Sequence, residues 1–484
     1  MADEPLVPPL DMERPIRTDV ILKDDEVFID APSNNEGVSQ DIDIEIEPET
    51  DEEGNVIVAF GTMETTPLSD EFYRNLADEM DERELDSLSS EIMSMYKEDR
   101  ESRGDWERTY TEGLSLLGMQ TEDRSQPFQG ASGVYHPLLS EAVAQFQASA
   151  YKELLPAGGP VNTRIVGKIT PERESQATRV KDFMNYQITE VMQEYDPELD
   201  LMLFYLPLSG SSFKKIYYDE GLGRAVSKFI TAEDLVVPYE TTDLQSAARI
   251  THMIRQNVND VRKLQASGFY RDVEIMASDE PPSQVTEKVD ELEGLSPTSY
   301  GSSDTMTILE CHIDLDLPGF EDMREDGEPT GIKLPYIVTV GEDCSKVLSI
   351  RRNWNEDDTN QNKKQYFVHY KFLPGLGFYG FGLIHMIGGL TKSATSIMRQ
   401  LIDAGTLSNL PAGFKARGLR IRNDDEPLQP GEWRDVDAPG GALRDSLSPL
   451  PYKEPSGTLL NLLGLLIDSG RRFAAITEMQ TGDM

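Results

Sequence analysis

Residues 374–402 read PGLGFYGFGLIHMIGGLTKSATSIMRQLI, and the change of period inside this stretch decides how the chain is organised. Up to Gly382 it is glycine interleaved with aromatics, the composition of a tight irregular turn. From Leu383 onward, Leu383, Ile384, Met386, Ile387, Leu390, Ala394, Ile397, Met398, Leu401 and Ile402 recur every three or four residues. That spacing predicts a helix of about 25 residues, roughly 38 Å long. It stops near Pro411-Ala412-Gly413, and a proline- and glycine-rich segment of about forty residues, Phe414 to Lys453, follows. A second helix is predicted from Leu459 to about Met479, with Leu459, Leu460, Leu462, Leu463, Leu466 and Ile467 apolar almost all round. Such a helix needs cover on every side. One partner in a hairpin cannot supply it, so neighbouring subunits are the natural cover.

Working upstream, the pattern is mixed. Leu85, Leu88, Ile92, Met95 and Tyr96 predict a helix from about 82, and Trp106, Tyr110 and Leu114 a second piece after Gly104. Further helices are predicted over about His136 to Leu155, opened by Pro137 and closed by Pro156 to Pro160, and over about Glu174 to Glu194, with Val180, Phe183, Met184, Ile188 and Val191 as its apolar stripe. A fourth, about Pro197 to Gly210, runs into an alternating strand, Phe213 to Asp219. Strands are predicted at Ala225–Ile230, Leu235–Pro238, Met306–Leu317, Tyr336–Val340, Val347–Arg352 and Gln365–Leu373, with one helix at about Val258 to Gly268. The polar, acidic stretch Ser278 to Ser303, with three prolines, reads as an exposed loop. Residues 82–373 therefore predict an α+β domain.

The N-terminal segment is different in kind. Residues 1–60 carry eighteen acids and three bases, too little apolar surface to offset the entropy of ordering, so residues 1–75 read as a tail that is largely disordered or ordered by a partner. The alternation Asp41-Ile42-Asp43-Ile44-Glu45-Ile46 would suit one edge strand if a partner supplied a sheet. The opening Met-Ala-Asp-Glu-Pro has neither the basic nor the apolar region of a secretory signal, which predicts a chain kept in the cell that makes it. The longest apolar run is about nine residues, whereas a membrane span needs about twenty.

The 484 residues carry a formal net charge of −42, which opposes casual binding to nucleic acid and disfavours a conventional DNA-binding protein. Two cysteines, Cys311 and Cys344, make no disulfide framework. His312 follows Cys311, but neighbours on a strand point to opposite faces and cannot share one metal. There is no G-x-x-x-x-G-K-[ST] and no H-E-x-x-H, and His136, His252, His312, His369 and His385 are scattered singly. Asp424-Asp425-Glu426 lacks the spacing of a calcium loop, and Ser209-Gly210-Ser211 lacks the frame of a nucleophile elbow. No metal and no cofactor is expected. Gly375-Leu376-Gly377-Phe378-Tyr379-Gly380 does match G-x-G-x-x-G, follows a strand and opens a helix, which would suit a nucleotide-binding enzyme. Yet no second parallel strand with a terminal acid follows, and the variable positions are bulky aromatics where a pyrophosphate needs close backbone approach. The alternative is a glycine hinge that lets strand and helix meet.

One cationic stretch stands against this background: Phe414 to Arg422 holds Lys415, Arg417, Arg420 and Arg422 and no acid. On a strand Lys415 and Arg417 share a face, as do Arg420 and Arg422. Its partner would be DNA phosphate, an acidic loop of a docking protein, or a neighbouring subunit's own Asp424-Asp425-Glu426.

The order helix, forty-residue insert, helix resembles the stem, clip and returning stem of tailed-bacteriophage portal (head-to-tail connector) proteins, in particular podovirus-like ones. The resemblance rests on His385 to Ala394, Met398 to Asp403 and the turn Pro374 to Gly382. It extends upstream to His136-Pro137-Leu138-Leu139 and Gly210 to Lys215, which are similar to parts of the portal wing. It implies an α+β wing at 76–373, a turn and first stem helix at 374–410, a small α/β clip at 411–454 and a second stem helix at 455–484. Members of that family continue into a tunnel loop, a further helix and often a crown. This sequence ends at Gln480 to Met484, so only wing, stem and clip carry over. The resemblance further implies a non-enzymatic homo-oligomeric ring, a dodecamer, at one capsid vertex of the virion, assembled in the host bacterial cytoplasm. Its partners would be the terminase large subunit, a tail adaptor protein, the major capsid protein and the double-stranded DNA passing through, with no membrane. An acidic wall would let DNA slide, and Lys392 and Arg399, seven apart on the first stem helix, would face either the tunnel or a neighbouring subunit. Besides a nucleotide-dependent enzyme, the acidic tail leaves a soluble adaptor that recruits a basic partner as the remaining reading.

Overall fold

Helices form where the apolar period is 3.6 and a terminus signal is present. In the computed structural model, which describes residues 49–50, 56–57, 72–219, 221–277, 283–295, 305–324, 328–409, 413–415, 420–421, 436–437, 447–449 and 452–481, the chain divides into two units, 1–73 and 74–484. The first contains a small antiparallel pair, β1 (Glu49–Thr50) with β2 (Val56–Ile57). The alternating stretch Asp41 to Ile46 lies outside the described residues.

The second unit is α+β. It opens with α1 (Glu82–Ser102) and α2 (Gly104–Ser115), broken at Arg103. Arg103 explains the break: it is buried, its guanidinium donates to the carbonyls of Ala232 (3.0 Å), Leu235 (2.9 Å) and Glu233, and it pairs with Glu107 at 2.9 Å. Next come α3 (Leu138–Leu154), then α4 (Pro171–Tyr186), which ends in a π-helical turn at Gln187–Val191, and α5 (Tyr195–Ser209). Gly210 closes α5 at φ +87°, the left-handed cap that glycine adopts without a side-chain penalty.

Two antiparallel sheets follow. The smaller has the order β10 (Phe367–Lys371), β3 (Ser211–Asp219), β4 (Arg224–Ile230). The larger is a five-stranded meander, β5 (Leu235–Val236), β6 (Arg249–Asn257), β7 (Thr305–Leu315), β8 (Leu334–Gly341) and β9 (Lys346–Arg352). Its register places Thr251 opposite Cys311 and Cys311 opposite Val338. Phe213, Ile230, Leu235, Ile250, Phe367 and Phe378 form an apolar cluster joining the two sheets. Strand β6 was not anticipated from the sequence: Arg249 and His252 interrupt its apolar period. Helix α6 (Val258–Ala266) packs over Met306, Ile308 and Leu348.

A correction concerns 278–303. Part of that stretch is α7 (Gln284–Glu293), capped by Ser283, whose hydroxyl accepts from Thr286 N at 3.1 Å. Val285, Val289 and Leu292 join the core containing Tyr110 and Leu114 of α2. Spaced four and three apart, these three put one apolar stripe on a helix that the surrounding acids and prolines conceal.

The long helix α8 (Leu383–Asn409) and the second helix α9 (Gly457–Thr481) are present with close to the expected bounds. They run antiparallel: Gly405 near the end of α8 meets Pro455 just before α9, while Leu383, Ile384, Ile387 and, from α9, Ala474 share the core of Leu138 and Leu139. Between them, β11 (Gly413–Lys415) pairs β14 (Leu447–Pro449), and β12 (Arg420–Ile421) pairs β13 (Val436–Asp437). Among the described residues no helix is long and apolar enough to cross a membrane.

Candidate functional site

The base of the hairpin is built by glycine. A side chain on Gly210 would meet Gly382 N at 2.4 Å and Gly380 O at 2.5 Å, and one on Gly380 would meet Gly210 O at 2.3 Å. The turn before α8 therefore crosses the α5–β3 junction at backbone contact, a place only hydrogen fits. The three amides at its end are bonded: Gly380 N donates to Ser211 Oγ (2.8 Å), Phe381 N to Leu373 O (3.0 Å) and Gly382 N to His385 Nδ1 (3.1 Å). The aromatics are core as well. Phe378 stacks on Phe213 at 5.9 Å, and Tyr379 stacks on Trp106 at 4.9 Å while accepting a 3.2 Å bond from Arg103. The last glycine of G-x-G-x-x-G is thus pressed against the chain's own backbone, with Phe378 and Tyr379 packed into the core beside it. Ser211 Oγ also meets His369 Nε2 at 3.1 Å. That is the contact of a nucleophile and its base, but Ser211 is fully buried and its oxygen already accepts from Gly380. Burial, with Lys371 adding to it, lowers His369 to about 4, so it is a neutral ring stacked on Phe213 and tilted against Phe378.

Along α8, a groove of about 890 Å³ opens between this helix, α2 and the segment 124–135, and both Lys392 and Arg399 line it. Arg399 is held within the chain: its guanidinium donates to Val134 O (2.8 Å) and Gly133 O (3.3 Å), pairs with Glu122 at 3.0 Å and lies 4.4 Å from the Tyr135 ring centre. Two more side chains of α8 fasten the same segment. Asp403 accepts from Ser132 N at 2.7 Å, and Thr395 Oγ1 accepts from His136 N at 3.0 Å. This lacing follows no sequence motif. Its only sequence trace is polar residues at 395, 399 and 403, one helical face at four-residue spacing.

On α9 the apolar surface is only partly covered. Gly470 lies against Leu138, where a side chain would come within 2.5 Å, and Arg471 pairs with Glu141 at 3.1 Å. Three leucines of the helix's first half remain open: Leu460 is 61% exposed, Leu462 43% and Leu465 65%. The all-round apolar helix expected from the sequence thus keeps about half its leucines in contact with water in the single chain.

One polar cluster was invisible in the sequence. His252 of β6 sits opposite Glu310 of β7, and His312 is two residues along on the same face. Lys215 of the other sheet reaches Glu310 with Nζ 2.6 Å from both carboxylate oxygens, and His312 Nε2 is 2.9 Å from Oε1. Burial opposes the charge on Glu310, yet the Lys215 ammonium and the bond from His312 overcome it and hold the carboxyl well below the usual range. Burial, reinforced by Lys215, lowers His252 to about 3, and burial lowers His312 as well, against the pull of Glu310. The cluster is an ion pair with two neutral imidazoles that pins one sheet to the other. Among the described residues no group of three or more His, Cys, Asp or Glu could hold a metal ion.

Of the basic edge, the backbone of Lys415 pairs with Leu447 and that of Arg420 with Asp437. Arg417, Arg422 and Asp424 to Glu426 lie outside the described residues. Searches of protein-family models and of curated proteins find no match to this chain.

Proposed function

We propose that the chain is the subunit of a ring-forming portal, a conduit through which double-stranded DNA enters and leaves a capsid, with docking sites for a packaging motor and a tail adaptor. The observation that carries this reading is the α8–α9 hairpin. Its two helices are antiparallel, seated at one end on the helical core around Leu138, while Leu460, Leu462 and Leu465 stay in water. Exposed apolar patches of this kind mark association surfaces. Copies set side by side would cover those leucines without changing the fold of any one chain. The net charge of −42 fits a wall that repels phosphate. The Gly380 amide bonded to Ser211, the bulky aromatics of the turn and the buried Ser211–His369 pair weigh against the nucleotide-dependent alternative.

Mass photometry and negative-stain microscopy of the purified chain test this reading. The expected result is a particle of roughly a dozen subunits with a central hole, since closed rings arise from one repeated head-to-tail contact. A stable monomer would overturn it.

A further inference from the structure

Helix α4 is a structural anomaly. None of its sixteen residues is buried, although an isolated helix of this length is marginal in water without tertiary packing. The apolar stripe predicted for it points outward: Val180 is 54% exposed, Phe183 60% and Met184 42%, with Ile169 at 69% on the preceding loop. On the helical wheel Val180, Phe183 and Met184 share one face, and Arg179 and Lys181 flank Val180 about 100° to either side.

The arm is nevertheless pre-built. The loop before α4 folds back along the helix: Asn185 bonds both backbone groups of Val161 (2.8 and 3.2 Å), Thr163 Oγ1 donates to Ala177 O at 3.0 Å, and Thr170 caps the helix by accepting from Arg173 N. Gly159 is required beside Asn185, where any side chain would come within 2.5 Å. A defined shape with no buried residue is suited to burying its face against something else.

Charge selects what that is. Residues 156–191 hold five bases (Arg164, Lys168, Arg173, Arg179, Lys181) against four acids (Glu172, Glu174, Asp182, Glu190), a net +1 within a chain whose total is −42. When copies of so acidic a chain approach, repulsion opposes contact almost everywhere. The arm couples exposed apolar side chains to local cations. We propose that the arm 156–191 docks on a second copy of this chain, with Val180, Phe183 and Met184 buried against that copy and Arg179 and Lys181 facing its acids. The proposal rests on the ring reading and specifies one of the contacts that builds the ring.

The test places the photo-crosslinking residue p-benzoylphenylalanine at position 183 of the full chain, and separately makes the double variant Val180→Asp, Phe183→Asp. The expected results are a crosslinked species of twice the subunit mass whose linkage joins two copies, and a double variant in which the ring fraction falls at least tenfold. The circular dichroism of the remaining monomer should match the parent, because neither side chain is buried in the single chain, while its thermal midpoint should fall only by what assembly contributes. Rings in the double variant, or only intrachain crosslinks from an assembled parent, would overturn the arm's role while leaving the ring reading intact. A parent chain that is monomeric would instead remove the ring reading itself, and the arm's role with it.

Discussion

The five-stranded sheet and the helices α4 and α9 use apolar residues in opposite ways. Strand β8 buries seven of its eight residues, and Val338, Val340, Leu348 and Ile350 are almost completely withdrawn from water. Helix α4 buries none, and α9 leaves Leu460, Leu462 and Leu465 open. Each carries apolar side chains, as a whole sheet, as nearly a whole helix in α9 and as one stripe in α4. The sheet is covered within its own chain and the two helix faces are not, which separates a core that stabilises the fold from surfaces left in water.

The strongest way to break that distinction lies at the sheet-to-sheet ion pair. Glu310→Gln leaves the half-buried Lys215 ammonium without its counter-charge and should cost about 3 kcal/mol of stability, read by urea unfolding. A loss below about 1 kcal/mol would mean the pair is not holding the sheets together. Next in size is Gly380→Ala, which drives a methyl into the Gly210 carbonyl. It should cost about 2–3 kcal/mol, since the obstruction is backbone and cannot rotate away. A neutral result would show that the α5–β3 junction yields.

A third effect follows pH. His252 is held at about 3 in the folded chain, whereas the unfolded side chain titrates near about 6.5. Below pH 6.5 the unfolded state takes up a proton that the folded state refuses. Stability present above that pH is therefore lost as pH falls toward 3, with a slope of at most about 1.4 kcal/mol per unit. Burial lowers His312 and His369 too, so they act in the same direction, and the depressed Glu310 adds its own loss only below the ordinary carboxylate range. His252→Gln should flatten the slope between pH 6.5 and 4.5, measured by denaturant midpoints; an unchanged slope would locate the proton uptake elsewhere. The smallest effect on the fold sharpens the other side of the comparison. Leu465→Ser, at 65% exposure, should alter monomer stability by less than about 0.5 kcal/mol while reducing assembly in mass photometry.

Most elements were legible because their periods are strong. The helices at 82–115, 138–154 and 383–409 and the strands from 211 to 230 and from 334 to 352 lie where apolar spacing put them. Strand β6 and helix α7 were hidden by charged residues and prolines that only a register or a capping contact places. The lacing of α8 by Arg399, Asp403 and Thr395 was equally hidden, because its partners at 132–136 supply backbone groups, which no side-chain pattern reveals.

The amino-acid order by itself determined the acidic balance, the absence of a phosphate-binding loop sequence, the element types and the helix, insert, helix order, since these follow from composition and local period. Tertiary structure alone decided that the glycine turn is filled by the α5–β3 backbone, that four scattered residues become one ion-pair cluster, and that the stripe of α4 faces water. Periodicity says that a face is apolar; only packing says whether the chain covers it, because burial depends on which distant segments arrive there.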